Sequence, residues 1–111
     1  MNLVDETTDL INRLVSVVDD SKESAGYGGI LRIIIDGDLG CQVHMETPEF
    51  LSFFPKTNYD AKLETFDEFP YHLSIEVEGV KFFTVFCHQE LETLEKSHPK
   101  HYEYISQAVM V

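Results

Sequence analysis

Basic residues are scarce in this chain: 8 Lys and Arg stand against 20 Asp and Glu, leaving a formal net charge of -12 on 111 residues. That shortage argues against direct nucleic-acid binding, because affinity for phosphates comes mainly from Lys and Arg that displace counterions. The same anionic field disfavours acidic membrane lipid and favours basic protein surfaces. Cysteine is rare as well. Cys41 and Cys87 are too few for a disulfide framework, and the first segment carries acids where a signal peptide carries bases, so a cytoplasmic, reducing location is expected. No apolar run approaches the roughly 20 residues that cross a bilayer. The longest, Val80 to Cys87, is interrupted by Lys81 and Thr84. Internal repeats and low-complexity tracts are absent too.

What the chain does have is apolar material: 43% of it is hydrophobic, with eight Phe and five Tyr. An acidic disordered tail lacks the residues that offset chain entropy on folding; this chain has them. Its length suits one core, so residues 1–111 are read as a single folded domain with a strongly anionic surface.

Between Asn2 and Asp20 the apolar residues recur at three- and four-residue steps, which predicts an amphipathic helix, with Asp5, Glu6 and Asp9 near its positive end. Ser21 to Gly29 reads as a helix stop and loop. Ile30 to Asp36 and Cys41 to Glu46, joined by the turn-forming DGDLG, predict a β-hairpin. Thr47-Pro48-Glu49 opens a short helix with Thr47 as N-cap, and Pro55 closes it. Tyr59 to Phe66 alternates as an edge strand or extended loop does. Tyr71 to Val77 and Val80 to Cys87, joined by Glu78-Gly79, predict a second hairpin whose first strand has one apolar and one acidic face. Helical steps return after Cys87, are interrupted at Ser97-His98-Pro99, and resume to the end. The expected fold is α+β: a mainly antiparallel sheet of four or five strands with helices on one face and helices at both termini.

Ten acids lie between Asp36 and Glu78, opposed within that span only by Lys56 and Lys62. Such a run is commonly just a solvated face that keeps a protein in solution. The functional alternative is a surface that imitates nucleic-acid phosphates, and aromatics among the acids favour it, because rings anchor an interface that charges steer. Asp60, Glu64, Phe66, Asp67, Glu68, Phe69, Glu76 and Glu78 are the candidate partner-binding residues, centred on FDEFPY, Phe66 to Tyr71. Phe53 and Phe54 are expected in the core.

A metal is the other candidate. Cys41 and His44 are spaced C-x-x-H, and Cys87 and His88 are adjacent, which supplies donor types that zinc takes. In a regular strand each pair points to opposite faces, so a zinc site needs a bulge or strand end. The simpler reading is buried apolar cysteines and surface histidines, with no cofactor. Asp36-Gly37-Asp38 opens like a calcium loop, but no further oxygen ligands follow. No nucleophile elbow or phosphate loop is present, so an enzyme is not expected.

In size, acidity and α+β pattern the whole chain resembles the small inhibitors that bacteriophages encode against host defence, including anti-CRISPR proteins and other DNA mimics. The resemblance rests on no shared motif and carries over no residue. It implies a non-enzymatic inhibitor that occupies a basic, nucleic-acid-binding surface of a partner such as a CRISPR-associated nuclease. The alternative is a small structural or assembly module, for instance a phage-particle component, whose acids only confer solubility.

Overall fold

In the computed structural model, which describes residues 2–25, 29–38 and 40–109, the expected α+β class is present as a five-stranded sheet and four helices. Helix α1 (Leu3–Ala25) begins where the Asn2 Oδ1 accepts the Asp5 amide at 2.8 Å, with Asp5 and Glu6 in the first turn. It runs past the expected end at Asp20 and includes Ser21, whose hydroxyl donates to the Val18 carbonyl and accepts the Ile30 amide at 3.0 Å. This one side chain ties the helix to the first strand. The central part of the expected loop, 26–28, lies outside the described residues, as does Leu39 in the first hairpin turn.

The strands are β1 (Ile30–Asp36), β2 (Gly40–Met45), β3 (Asp60–Leu63), β4 (Tyr71–Val77) and β5 (Val80–Phe86), in the order β1-β2-β5-β4-β3. Both expected hairpins form, and the Tyr59–Phe66 segment supplies edge strand β3. In the β4–β5 turn Glu78 and Gly79 both have positive φ, +50° and +82°, the two-residue geometry that matches strand twist.

The sheet is mixed, because β2 pairs with β5 in parallel while the other three pairings are antiparallel. Connectivity explains this. After β2 the chain crosses through α2 (Thr47–Phe53) to β3 at the far edge, and a helical crossover returns a strand in the same direction. Two antiparallel steps then bring β5 back beside β2.

Register and side-chain alternation sort the residues onto two faces. Ile33, Val43, Phe82 and Ile75 are paired in one row and share the face covered by helices, since Phe54 at the end of α2 packs edge-on to Phe82. Met45, Thr84, Leu73, Phe86 and Tyr71 continue that face. The helices α3 (His88–Ser97) and α4 (Pro99–Val109) cover its other half through Leu94 and Ile105. Met45, Phe50, Leu73, Phe86 and Ile105 are fully buried, and burial of each contributes about 1.5–3 kcal/mol.

Thr47 is not the N-cap of α2. Glu46 holds that position with no side-chain cap, and the Thr47 hydroxyl turns inward to pair with that of Thr84 at 2.9 Å. Both residues are buried, so each hydroxyl satisfies the other; capping would have left Thr84 alone in the core. Tyr59, 1% exposed, is held similarly: its hydroxyl meets His101 Nδ1 at 2.7 Å and its carbonyl accepts the Tyr104 hydroxyl. Burial raises the Tyr59 pKa well above that of a free phenol and lowers that of His101, with His98 adding to the latter. No helix among the described residues is long and apolar enough to cross a membrane.

Candidate functional site

The eight residues expected to bind a partner fall in three places. Glu64, Phe66, Asp67, Glu68 and Phe69 share the loop between β3 and β4, which begins where Leu63 pairs with Tyr71. The loop is closed at its base by the Glu64 amide donating to the Pro70 carbonyl at 2.7 Å. It turns once more where the Asp67 amide donates to the Glu64 carbonyl at 3.1 Å. His72, at the start of β4, reaches back: its Nε2 lies 3.1 Å from the Phe69 carbonyl and 3.0 Å from an Asp67 carboxylate oxygen.

These bonds shape the loop without using its rings. Phe66 is 101% exposed and Phe69 45%, with Glu64, Asp67 and Glu68 exposed around them. The segment therefore presents an exposed apolar ring among three exposed acids of the same loop and contains no Lys or Arg. By contrast Phe54 is half-buried against Phe50 and Phe82, as expected of a core ring, while Phe53, at 51% exposed, lies outside the core where it was expected.

Asp60 and Glu76 lie instead on the open face of the sheet. One row across all five strands reads Arg32, His44, Phe83, Ser74 and Asp60. The next includes Gln42, Lys81 and Glu76, with Glu76 directly opposite Lys81. Lys62 pairs with His72 on the same face. Acids here are thus interleaved with cations, and the sheet surface is not the anionic face that the sequence window from Asp36 to Glu78 implied. Arg32 and Lys81 lie outside that window in sequence but beside its acids across the strands. Glu78 sits in the β4–β5 turn, at the opposite end of β4 from the 64–70 loop. Seven strand residues at about 3.3 Å each put roughly 23 Å between those ends.

The candidate zinc ligands are dispersed as well. Cys41 is paired with Val80 at the start of β5, whereas Cys87 and His88 follow its end. His44 occupies the open face, stacked on Phe83 at 4.6 Å, and its pKa is lowered by burial and then by Arg32. His88 Nδ1 is engaged with the Tyr71 hydroxyl at 2.9 Å, and the Cys87 thiol is directed at Glu90. Among the described residues no three His, Cys, Asp or Glu side chains are placed to hold a metal ion.

A second surface was not singled out by the sequence reading as exposed. Leu3, Val4, Leu10, Ile11, Val15 and Val17 of α1 are each half to three-quarters exposed. The signal was available in the unusual width of the apolar stripe. No protein-family model, no curated protein and no solved structure matches the chain.

Proposed function

We propose that this chain is a non-enzymatic protein-binding inhibitor whose 64–70 loop occupies a basic, nucleic-acid-binding surface of a partner. The observation that carries the reading is the complete exposure of Phe66 among Glu64, Asp67 and Glu68. A fully solvated ring on a hydrogen-bonded loop stabilises nothing within the domain, and it has the form of an interface anchor: an aromatic to fill a pocket and carboxylates to steer and register it. The likeness to phage-encoded inhibitors makes a nuclease of host defence, such as a CRISPR-associated one, the partner class of choice.

The separation of the acids sharpens the test. Immobilised protein is used to capture partners from a cell lysate over a series of salt concentrations, in three forms: wild type, Asp67→Lys/Glu68→Lys and Glu76→Lys/Glu78→Lys. The reading expects capture that weakens with ionic strength, is abolished by the loop pair and survives the Glu76 and Glu78 pair. Salt-insensitive capture, or equal loss in both variants, would refute it.

A further inference from the structure

Helix α1 is longer than the support beneath it. Its 23 residues span about 35 Å at 1.5 Å each, whereas the 7 residues of β1 span about 23 Å. Leu14, Val18 and Ser21 in the second half are partly covered, and a largely apolar groove lined by Ile11, Leu14, Val15, Val18, Ile33 and Ile35, with Asp19 at one end of the helical side, opens between helix and strand. The first half has no such cover, with Leu3 77% and Val4 72% exposed. The radius of gyration, 15.7 Å, exceeds the roughly 13 Å of a compact chain of this length, and the molecule extends 52 Å along its long axis.

The stripe has a regular order. Val4, Ile11 and Val18 recur every seven residues, and Thr7, Leu14 and Ser21 repeat three positions further on, the a and d positions of a heptad. Leu3, Leu10 and Val17 widen the stripe on one side. The exposed parts of Leu3, Val4, Leu10, Ile11, Val15, Val17 and Ile35, 50% to 77% each, amount to roughly 800 Å². That is what each partner buries in an interface of standard size, and more than the ~300–600 Å² of the largest apolar patch on a typical monomer.

Charge identifies the occupant. Asp5, Glu6, Asp9 and Asp20 fall on the b, c and f positions, away from the seam, and Asp19 borders the groove only beyond Val18, so the stripe from Leu3 to Val18 carries no charge. A basic partner would find nothing there to attract it. A membrane-surface helix needs Lys and Arg on its polar face, where this one carries mostly acids. A second copy, itself at -12, can approach closely only along a face free of acids. We infer that the α1 stripe is a homodimer interface, in which the helices of two copies pair about a two-fold axis along the uncharged stretch from Leu3 to Val18. This lies beyond the loop-binding function and does not depend on it. α1 packs at the β1 edge of the sheet while the 64–70 loop emerges at the β3–β4 edge, so a dimer presents both loops outward.

Sedimentation equilibrium on the full chain tests the inference. Wild type is expected at twice the 12.8 kDa of one chain, and Val4→Glu/Ile11→Glu at one chain mass, with self-association weakened roughly a hundredfold or more by facing like charges. Asp9→Lys, on the outer face, should remain dimeric. A monomeric wild type, or a dimer that survives the double substitution, would overturn the proposal. Hydrogen exchange of wild type alone gives a second readout that needs no variant to fold. Protection of the α1 amides should rise with protein concentration, and concentration-independent exchange would equally overturn it.

Discussion

Replacing Phe by Ala at positions 50 and 66 makes the same chemical change in two opposite environments. Phe50 is 0% exposed, packed against Phe54 at 5.1 Å and edge-on to Tyr59 at 5.4 Å between ring centroids. Its truncation removes a fully buried ring and leaves a cavity, a loss of about 3–5 kcal/mol. Against the ~5–15 kcal/mol that a domain has in total, that is a large fraction of its stability. Phe66 is fully solvated, so its truncation should change stability by no more than about 0.5 kcal/mol. In urea unfolding, with a slope near 2 kcal/mol/M, the midpoint should fall by roughly 2 M for Phe50→Ala and by less than about 0.3 M for Phe66→Ala. The slope itself should stay constant, because neither change alters the surface exposed on unfolding very much. A comparable drop for Phe66→Ala would mean that its ring packs on the domain, and the case for the loop as a binding element would collapse. A stable Phe50→Ala would refute the assignment of the core beneath α2.

Two further outcomes follow from local geometry. Gly29→Ala should destabilise the domain by more than about 1 kcal/mol in the same assay. Its φ is +88° and an added Cβ would lie 2.8 Å from the Ser21 carbonyl oxygen; Gly37→Ala, with nothing within 4 Å, is the neutral control. Stability should also fall in acid. The pKa values of His101 and His44 are lowered in the folded chain, by burial first and then by His98 and Arg32 respectively. Above the ordinary value of 6.5 both states are neutral and the contribution is complete; below it the unfolded chain takes up protons that the folded chain refuses. The melting temperature should therefore drop as pH falls below 6.5, less steeply in His101→Gln. A flat profile there would contradict the neutral imidazoles of buried His101 and half-buried His44.

Much of the fold was legible in the residues because its signals are local. The alternation of Tyr71, Leu73 and Ile75 gives β4 its core-facing side, and Glu78-Gly79 makes the tight turn that joins it to β5. The interruption before Pro99 separates α3 from α4 where expected. The parallel pairing of β2 with β5 was not legible, because it depends on which strand edges meet after α2 has crossed the sheet. Nor was the inward turn of Thr47, which is decided by Thr84, 37 residues away. The candidate site divided in the same way. Five of its eight residues are neighbours in one loop and stay together, whereas Asp60, Glu76 and Glu78 were linked to them only by position along the chain.

Composition by itself determined that the chain folds and that its surface is anionic, since both depend on how many apolar and acidic residues there are. Tertiary structure decided where that charge gathers and where it is missing. Cross-strand pairing sets Arg32, Lys62 and Lys81 among the acids of the open sheet face, leaving the 64–70 loop as the acidic, aromatic-tipped projection. Helix periodicity and the short strand beneath α1 leave an uncharged apolar stripe uncovered. The reason is one of range: hydrophobic content and net charge are sums over residues, whereas a surface is made by residues that only the fold brings side by side.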